Sequence, residues 1–232
     1  MAEQNSSREG VIPGVVVPRS LGQAAAIVPT YNEGERIIPV LQALSTCPLV
    51  GEILVVDDGS DVSMAWVTER FPAVRFFRHE HNRGKAVALE TGVQGTDAEF
   101  LFFCDADLIG LKPEYVSELI NAVLSGEHEM SIGLRDNPAQ RAVYLFALNS
   151  GERCIKKSDW IKLSTFYKRG FRIETGLNIA QWRKRKKIFR RQYAYTQTVR
   201  EKKYGLLIGF RSRLRMSYDV VCAWGFALLS GR

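Results

Sequence analysis

Residues 99–107 read EFLFFCDAD, a continuous apolar run that ends in two carboxylates, Asp105 and Asp107, with one small residue between them. A short run of this kind, bounded by charge, fits a strand buried on both faces, as at the centre of a parallel sheet. Upstream, AAAIVP (24–29), EILVVD (52–57) and Val74 to Phe77 read as further strands. Between them lie helical stretches: Glu35 to Leu44, with Ile37, Ile38, Leu41 and Leu44 at helical spacing, then Met64 to Arg70, stopped by Pro72, and Lys85 to Val93. Pro113 opens a helix that runs to Leu124. This rhythm predicts right-handed βαβ crossovers and an α/β fold with a mostly parallel sheet flanked by helices. It also sets the residues that follow each strand along one edge, where open α/β sheets bind ligands. Beyond about residue 130 the pattern loosens. MSIGL (130–134) reads as a strand, 139–149 as a helix, Ser158 as the N-cap of a short helix and Ile173 to Lys184 as a helix, while 188–195 alternates weakly.

The chain has 232 residues, 46% hydrophobic and 25% charged, which excludes global disorder, collagen and coiled coil. Its net charge of +7 is unevenly spread. Residues 181–232 hold 14 Lys and Arg against Glu201 and Asp219, whereas the first 180 residues are mildly acidic. A basic block of this size favours phosphate-rich partners: a nucleotide, an anionic membrane surface or a nucleic acid. Cys47, Cys104, Cys154 and Cys222 have neither CxxC nor zinc-like spacing, so reduced thiols in a cytosolic setting are expected. The polar start of the chain, broken by Pro13, Gly14 and Pro18, does not read as a signal peptide, and no segment is apolar enough to span a bilayer. The expected organisation is a flexible lead-in over 1–22, a domain over 23–204, and a basic and apolar tail over 205–232, helical or hairpin, resting on a membrane surface.

Four segments at strand ends carry unusual polar content: PTYNEGE (29–35), DDGSD (57–61), HNRGK (81–85) and DAD (105–107). Asp57-Asp58-Gly59-Ser60 also makes a good turn and cap, and NRGK a plain helix entry; NRGK lacks the spacing of a P-loop. The pair Asp105 and Asp107 is harder to explain as a solvated turn, because two carboxylates this close repel unless a cation offsets them. Hard oxygen ligands suit Mg²⁺ or Mn²⁺, which would in turn hold a diphosphate.

The order PTYNE, VVDDGS, NRGK, DADL resembles the GT-A fold (a Rossmann-like α/β sheet) of family 2 glycosyltransferases, and within it the polyprenyl-phosphate sugar synthases related to dolichyl-phosphate mannosyltransferase. The resemblance runs from about Ala24 to Gly205 and is most specific over 27–108. It implies that Pro29, Tyr31 and Glu33 border the nucleoside, that Asp58 accepts from the base with Val56 beside it, and that Asp105, Ala106 and Asp107 form the sugar-diphosphate corner, the two Asp side chains holding the metal. It further implies that Arg135 lies near the diphosphate, that Lys203 closes over the phosphates, that Ser150, Gly151 and Arg153 line the acceptor side, and that Glu174 opens the next helix. Two departures stand out: Gln197, where relatives carry Arg or His, and RDNPAQRAVYLF (135–146), which lacks a glycine-rich loop.

The chemistry agrees with that resemblance. Negative charge builds on the leaving diphosphate as a nucleotide sugar breaks its anomeric bond, so a divalent ion with Arg and Lys stabilises the transition state best. Arg83, Lys85, Arg135 and Lys203 are the candidate cations. A lipid-phosphate acceptor needs no strong base, whereas a hydroxyl acceptor needs a carboxylate, for which Glu174 is the candidate. The leading expectation is a metal-dependent inverting glycosyltransferase that uses a UDP- or GDP-sugar and a polyprenyl phosphate, peripheral on the cytoplasmic face of a membrane. Alternatives are the same donor chemistry with a soluble sugar or hydroxy acid, or a nucleotide- or nucleic-acid-binding module. Carboxylates on the binding edge argue against nucleic acid. His79, His81 and His128 read as surface residues, and Trp66, Trp160 and Trp182 as packing.

Overall fold

Ala24 to Thr30 form the inner strand β1, and their alternation fills both faces of the sheet at once. The computed structural model describes residues 23–135, 150–197 and 206–230. After β1 come a 3-10 turn over Gly34–Ile37, α1 (Ile38–Ser45), β2 (Val50–Asp57), α2 (Val67–Arg70), β3 (Val74–Arg78), α3 (Lys85–Gln94), β4 (Phe100–Phe103), β5 (Leu108–Ile109), α4 (Pro113–Leu124) and β6 (Met130–Arg135). Then follow β7 (Arg153–Lys156), α5 (Lys157–Lys162), α6 (Ile173–Arg183), β8 (Ile188–Tyr193), β9 (Thr196–Gln197) and α7 (Leu206–Leu229).

The main sheet has seven strands in the order β3-β2-β1-β4-β7-β6-β8. Only β7 runs against its neighbours; the remaining pairs are parallel. On one face Ala26, Val28 and Phe102 pack against Leu41 and Leu44 of α1 and Val116, Leu119 and Ile120 of α4. On the other, Ile27, Leu101 and Phe103 meet Leu89 and Val93 of α3, Trp160, Leu177 of α6, and Ala223 and Ala227 of α7. Both faces are covered by helices, which is why β1 and β4 are apolar without interruption.

The α/β class and the parallel strands agree with the sequence reading, and several boundaries differ. The first helical stretch splits into a 3-10 turn and α1, with Pro39 in the first turn of α1. Met64 to Arg70 contracts to the single turn α2. β4 stops at Phe103, so Asp105 and Asp107 stand on the loop beyond the strand. Ser158 is not an N-cap: it lies inside α5, whose capping position is Lys156. Neither β7 nor the two-stranded ribbon β5–β9, which pairs Leu108 with Gln197, was legible. The lead-in over 1–22, the expected helix over 139–149, most of RDNPAQRAVYLF and Lys203 lie outside the described residues.

Candidate functional site

The strand ends of β1 and β2 are tied into one ledge. Asn32, held at φ +55°, donates from its side chain to Asp61 (3.0 Å), accepts from the Asp61 amide (2.9 Å), and donates its own amide to Ser60 Oγ (2.8 Å). Asp57 closes the following turn by accepting from the amides of Ser60 (2.9 Å) and Met64 (3.3 Å) and from Arg78. Asp58 points the other way. Its carboxylate accepts from the amides of Arg83 (3.0 Å) and Gly84 (2.7 Å) and from His79 Nδ1 (2.7 Å), while His79 Nε2 sits 2.9 Å from Thr91 Oγ1. Gly59 adopts φ +74°, and a Cβ there would stand 2.5 Å from the His81 carbonyl carbon. Only glycine lets the DDGS turn press so closely on the HNRGK loop.

These contacts correct two expectations. Asp58 does not face an open base pocket; it is buried, and the loop that leads into α3 occupies its oxygens. His79 is not a surface residue but is buried as a brace between Asp58 and α3. Arg83 contributes its amide to Asp58, and its residue is exposed, apart from the acidic corner. Pro29 and Val56 are register partners at the ends of β1 and β2, and Tyr31 and Glu33 are half-buried on the ledge, Glu33 pairing with Arg36 at 2.8 Å.

The β4 end holds the charged corner. Lys85 Nζ, in the first turn of α3, lies 2.8 Å from Asp105 Oδ1 and 2.9 Å from Glu174 Oε1. Arg135, at the end of β6, reaches Asp105 Oδ2 at 2.6 Å and forks onto Glu152 through Nε (3.0 Å) and Nη2 (2.8 Å). Glu152 is fully buried and also accepts from Ser150 Oγ (2.6 Å) and the Tyr195 hydroxyl (3.4 Å). Gln197 bridges the two Asp residues: its amide nitrogen lies 2.6 Å from Asp107 and 3.5 Å from Asp105, and its oxygen accepts from Arg135. Ala106 is buried between the two acids. Gly151 backs the corner so closely that a Cβ would stand 2.7 Å from Asp105 Oδ1.

The residues expected on the acceptor side form a layer beneath this corner instead. Ser150 is spent on Glu152. Arg153 is buried and donates to the Ser150 carbonyl (2.6 Å), the Glu174 carbonyl (3.3 Å) and Asn178 Oδ1 (3.3 Å), so it braces α6 rather than presenting a charge to a ligand.

Burial alone would raise the Asp105 carboxyl, but Lys85 and Arg135 outweigh it and hold the group well below the usual carboxylate range. Burial likewise works against the charge on Lys85, yet Asp105 and Glu174 raise the ammonium above its ordinary value. Glu174, pushed up by burial, is brought below its ordinary value by Lys85 and Arg153. Asp105, Lys85 and Glu174 are therefore ionised at neutral pH. Asp105 and Gln197 Oε1 lie against Arg135 and Asp107 against the Gln197 amide nitrogen, with no thiol or imidazole among the side-chain oxygens. That donor set fits a hard divalent cation rather than a soft one. Among the described residues no group of three or more His, Cys, Asp or Glu stands together as a metal cage.

Residues 25–210 match the sequence profile described as Glycosyl transferase family 2. The chain belongs to this family. Curated relatives include the dolichyl-phosphate beta-glucosyltransferase ALG5C of Trichomonas vaginalis, 31% identical over 94 residues (35% of this chain, 28% of the relative), and the dolichyl-phosphate beta-glucosyltransferase of Mus musculus, 33% identical over 101 residues (37% and 31%). The matches thus span under a third of those relatives' lengths. Among solved structures, glucosyl-3-phosphoglycerate synthase of Mycobacterium tuberculosis, in complex with Mn²⁺, uridine-diphosphate-glucose and phosphoglyceric acid, superposes with a TM-score of 0.70 at 21% identity, covering 87% of this chain and 81% of that one. At that identity the likeness shows the fold, the expected GT-A α/β architecture.

For a family 2 glycosyltransferase the residue that sequence reasoning passed over is Glu152, inside the SGER segment whose other members it singled out. The available signal was only a carboxylate one residue before a four-residue strand, Arg153 to Lys156. Tyr195 and His79 went unrecognised for the same reason: a buried polar side chain reveals itself by its partners, and those partners are distant in sequence.

Proposed function

We propose that this glycosyltransferase moves a sugar, with inversion, from a nucleoside diphosphate sugar to an acceptor that is already an anion, a polyprenyl phosphate. The observation that carries this reading is the state of Glu174. It is the carboxylate best placed near the corner to serve as a general base, yet Lys85 binds it at 2.9 Å and, with Arg153, lowers its proton affinity. A base so weakened suits an acceptor that needs no deprotonation and would be a poor match for an alcohol. The dolichyl-phosphate relatives support a lipid phosphate, and the uridine-diphosphate-glucose in the structural neighbour supports a uridine donor over a guanosine one.

In this reading Asp105 and Asp107 hold Mg²⁺ or Mn²⁺. The ion, when bound, neutralises charge on the leaving diphosphate. Arg135, fixed by Glu152, presents its guanidinium to the same phosphates. Lys85 keeps Asp105 and Glu174 ionised and in place. Pro29, Tyr31, Glu33 and Val56 form the ledge under the nucleoside, with Asp58 holding the loop that carries Lys85. Lys203, outside the described residues, is a further candidate cation for the phosphates, and the site works at the cytoplasmic face of a membrane.

The test is a panel of UDP- and GDP-sugars with Mg²⁺ or Mn²⁺, each offered a short polyprenyl phosphate or phosphoglyceric acid. Transfer to the polyprenyl phosphate from a UDP-sugar is expected. Asp107→Asn should abolish transfer and the metal-dependent part of donor binding by calorimetry. Transfer to phosphoglyceric acid alone would sink the acceptor assignment, and unchanged metal dependence in the variant would sink the metal assignment.

A further inference from the structure

A helix docked on a domain turns its apolar stripe inward and its polar stripe to water. The helix α7 does the first without the second. Ala223 and Ala227 enter the core beside α6, Asp219 accepts from Arg172 Nε (2.9 Å) and the Phe171 amide (3.0 Å), and Arg183 donates to the Ala227 carbonyl. Its outward side carries Leu214, Tyr218, Val221, Trp224, Leu228 and Leu229, the last two 81% and 91% exposed. At about 100° per residue these fall in an arc of about 140° that also holds Ser217 and Gly225 and, from Leu214 to Leu229, contains no charged residue. Trp182, at the end of α6 and 68% exposed, was expected to pack inside; instead it meets Trp224 edge-on, ring centroids 6.4 Å apart. Directly after it, Lys184 to Lys187 are exposed, and Arg185 at φ +52° turns the chain out of the helix.

We propose that this face docks on an anionic bilayer. In this arrangement α7 lies in the plane of the headgroup–acyl boundary with its uncharged arc toward the chains, Trp182 and Trp224 sit at the interface, and the Lys184–Lys187 segment rests on lipid phosphates. Arg211, Arg213, Arg215 and Asp219 interrupt α7, so it lies on the membrane rather than crossing it. Charge selects lipid over a second copy of the chain. Residues 181–232 hold 14 basic residues, Asp219 is consumed by Arg172, and pairing two such faces about a two-fold axis would set like charges together. The helix α6 links this face to the charged corner: Glu174 stands in its first turn and Trp182 in its last, about 12 Å apart along the axis. A lipid phosphate at the surface is thus one short helix from Lys85. That last step rests on the proposed acceptor; the docking itself does not.

The experiment uses the full chain with vesicles of phosphatidylcholine alone or mixed with phosphatidylglycerol, free of nucleotide sugar and polyprenyl phosphate, so its outcome is independent of the transfer reaction. Co-sedimentation with the mixed vesicles only is expected, with a blue shift of tryptophan emission. The double variant Val221→Asp, Leu228→Asp alters only exposed positions and should lower vesicle affinity at least tenfold while leaving circular dichroism and donor titration unchanged. Neutralising Arg185 and Lys187 to Gln should cost about fivefold each and flatten the salt dependence. Equal binding of the double variant, equal binding to neutral vesicles, or a dimer in sedimentation velocity that the double variant dissociates would overturn the proposal.

Discussion

Arg135 reaches Asp105 because Glu152 holds it there. The guanidinium, 10% exposed, and the fully buried Glu152 share two hydrogen bonds, and removing one partner of such a pair leaves its charge less compensated. Glu152→Gln keeps the shape but loses the charge, so it should lower stability by about 3 kcal/mol in urea unfolding and weaken donor binding through a loosened Arg135. Full donor affinity in that variant would show that Arg135 needs no brace. Asp58 makes the complementary case. Its three accepted hydrogen bonds fix the HNRGK loop, so Asp58→Ala should cost about 2–4 kcal/mol by the loss of charge-assisted bonds at a buried site, whereas Glu33→Ala, at the half-buried Arg36 pair, should change stability by less than about 1 kcal/mol. Equal losses in thermal unfolding would contradict the bracing role assigned to Asp58.

At the level of elements, the face of α3 is shaped by what it must avoid. A Cβ at Gly92 would collide with Ile27 Cγ2, and Ile27 is fully buried between β2 and β4. Gly92→Ala should therefore destabilise by about 1–3 kcal/mol through overpacking. Gly84, at φ +94° with open space around its Cβ position, should cost only about 1–2 kcal/mol on replacement by Ala, from backbone conformation. Paired urea midpoints with unchanged slopes measure both. The parallel strands and their helices were legible from local pattern, because a strand buried on two faces announces itself as an apolar run. The strand β7 and the β5–β9 ribbon were not: each is only a few residues long, and the long-range pairing that makes it a strand leaves no local periodicity.

For the molecule as a whole, the charged corner sets a pH window. Asp105 and Glu174 have folded-state affinities for protons below their unfolded ones, so their contribution to stability is fully present above about pH 5 and is lost as pH falls through the unfolded and then the folded values. Lys85 is raised, so its contribution is complete below about pH 10 and is lost as pH rises through its folded value. Stability should be nearly flat between about pH 6 and 8 and fall on either side; burial also raises the Cys104 and Cys154 thiols and the Tyr195 phenol, which share the alkaline limb with Lys85, so Lys85→Met should weaken both limbs, and unchanged limbs in that variant, by urea titration across pH, would disprove this linkage. The sequence by itself determined the α/β class, the edge on which the polar segments gather and the Asp105–Asp107 corner, since these follow from apolar runs and from carboxylates at their ends. Tertiary structure alone decided that Asp58 serves the loop leading into α3, that Glu152 and Gln197 complete the corner and that the uncharged side of α7 faces outward. Each of these depends on a contact between residues far apart along the chain or on which side of an apolar helix finds a partner, and neither is written in local spacing.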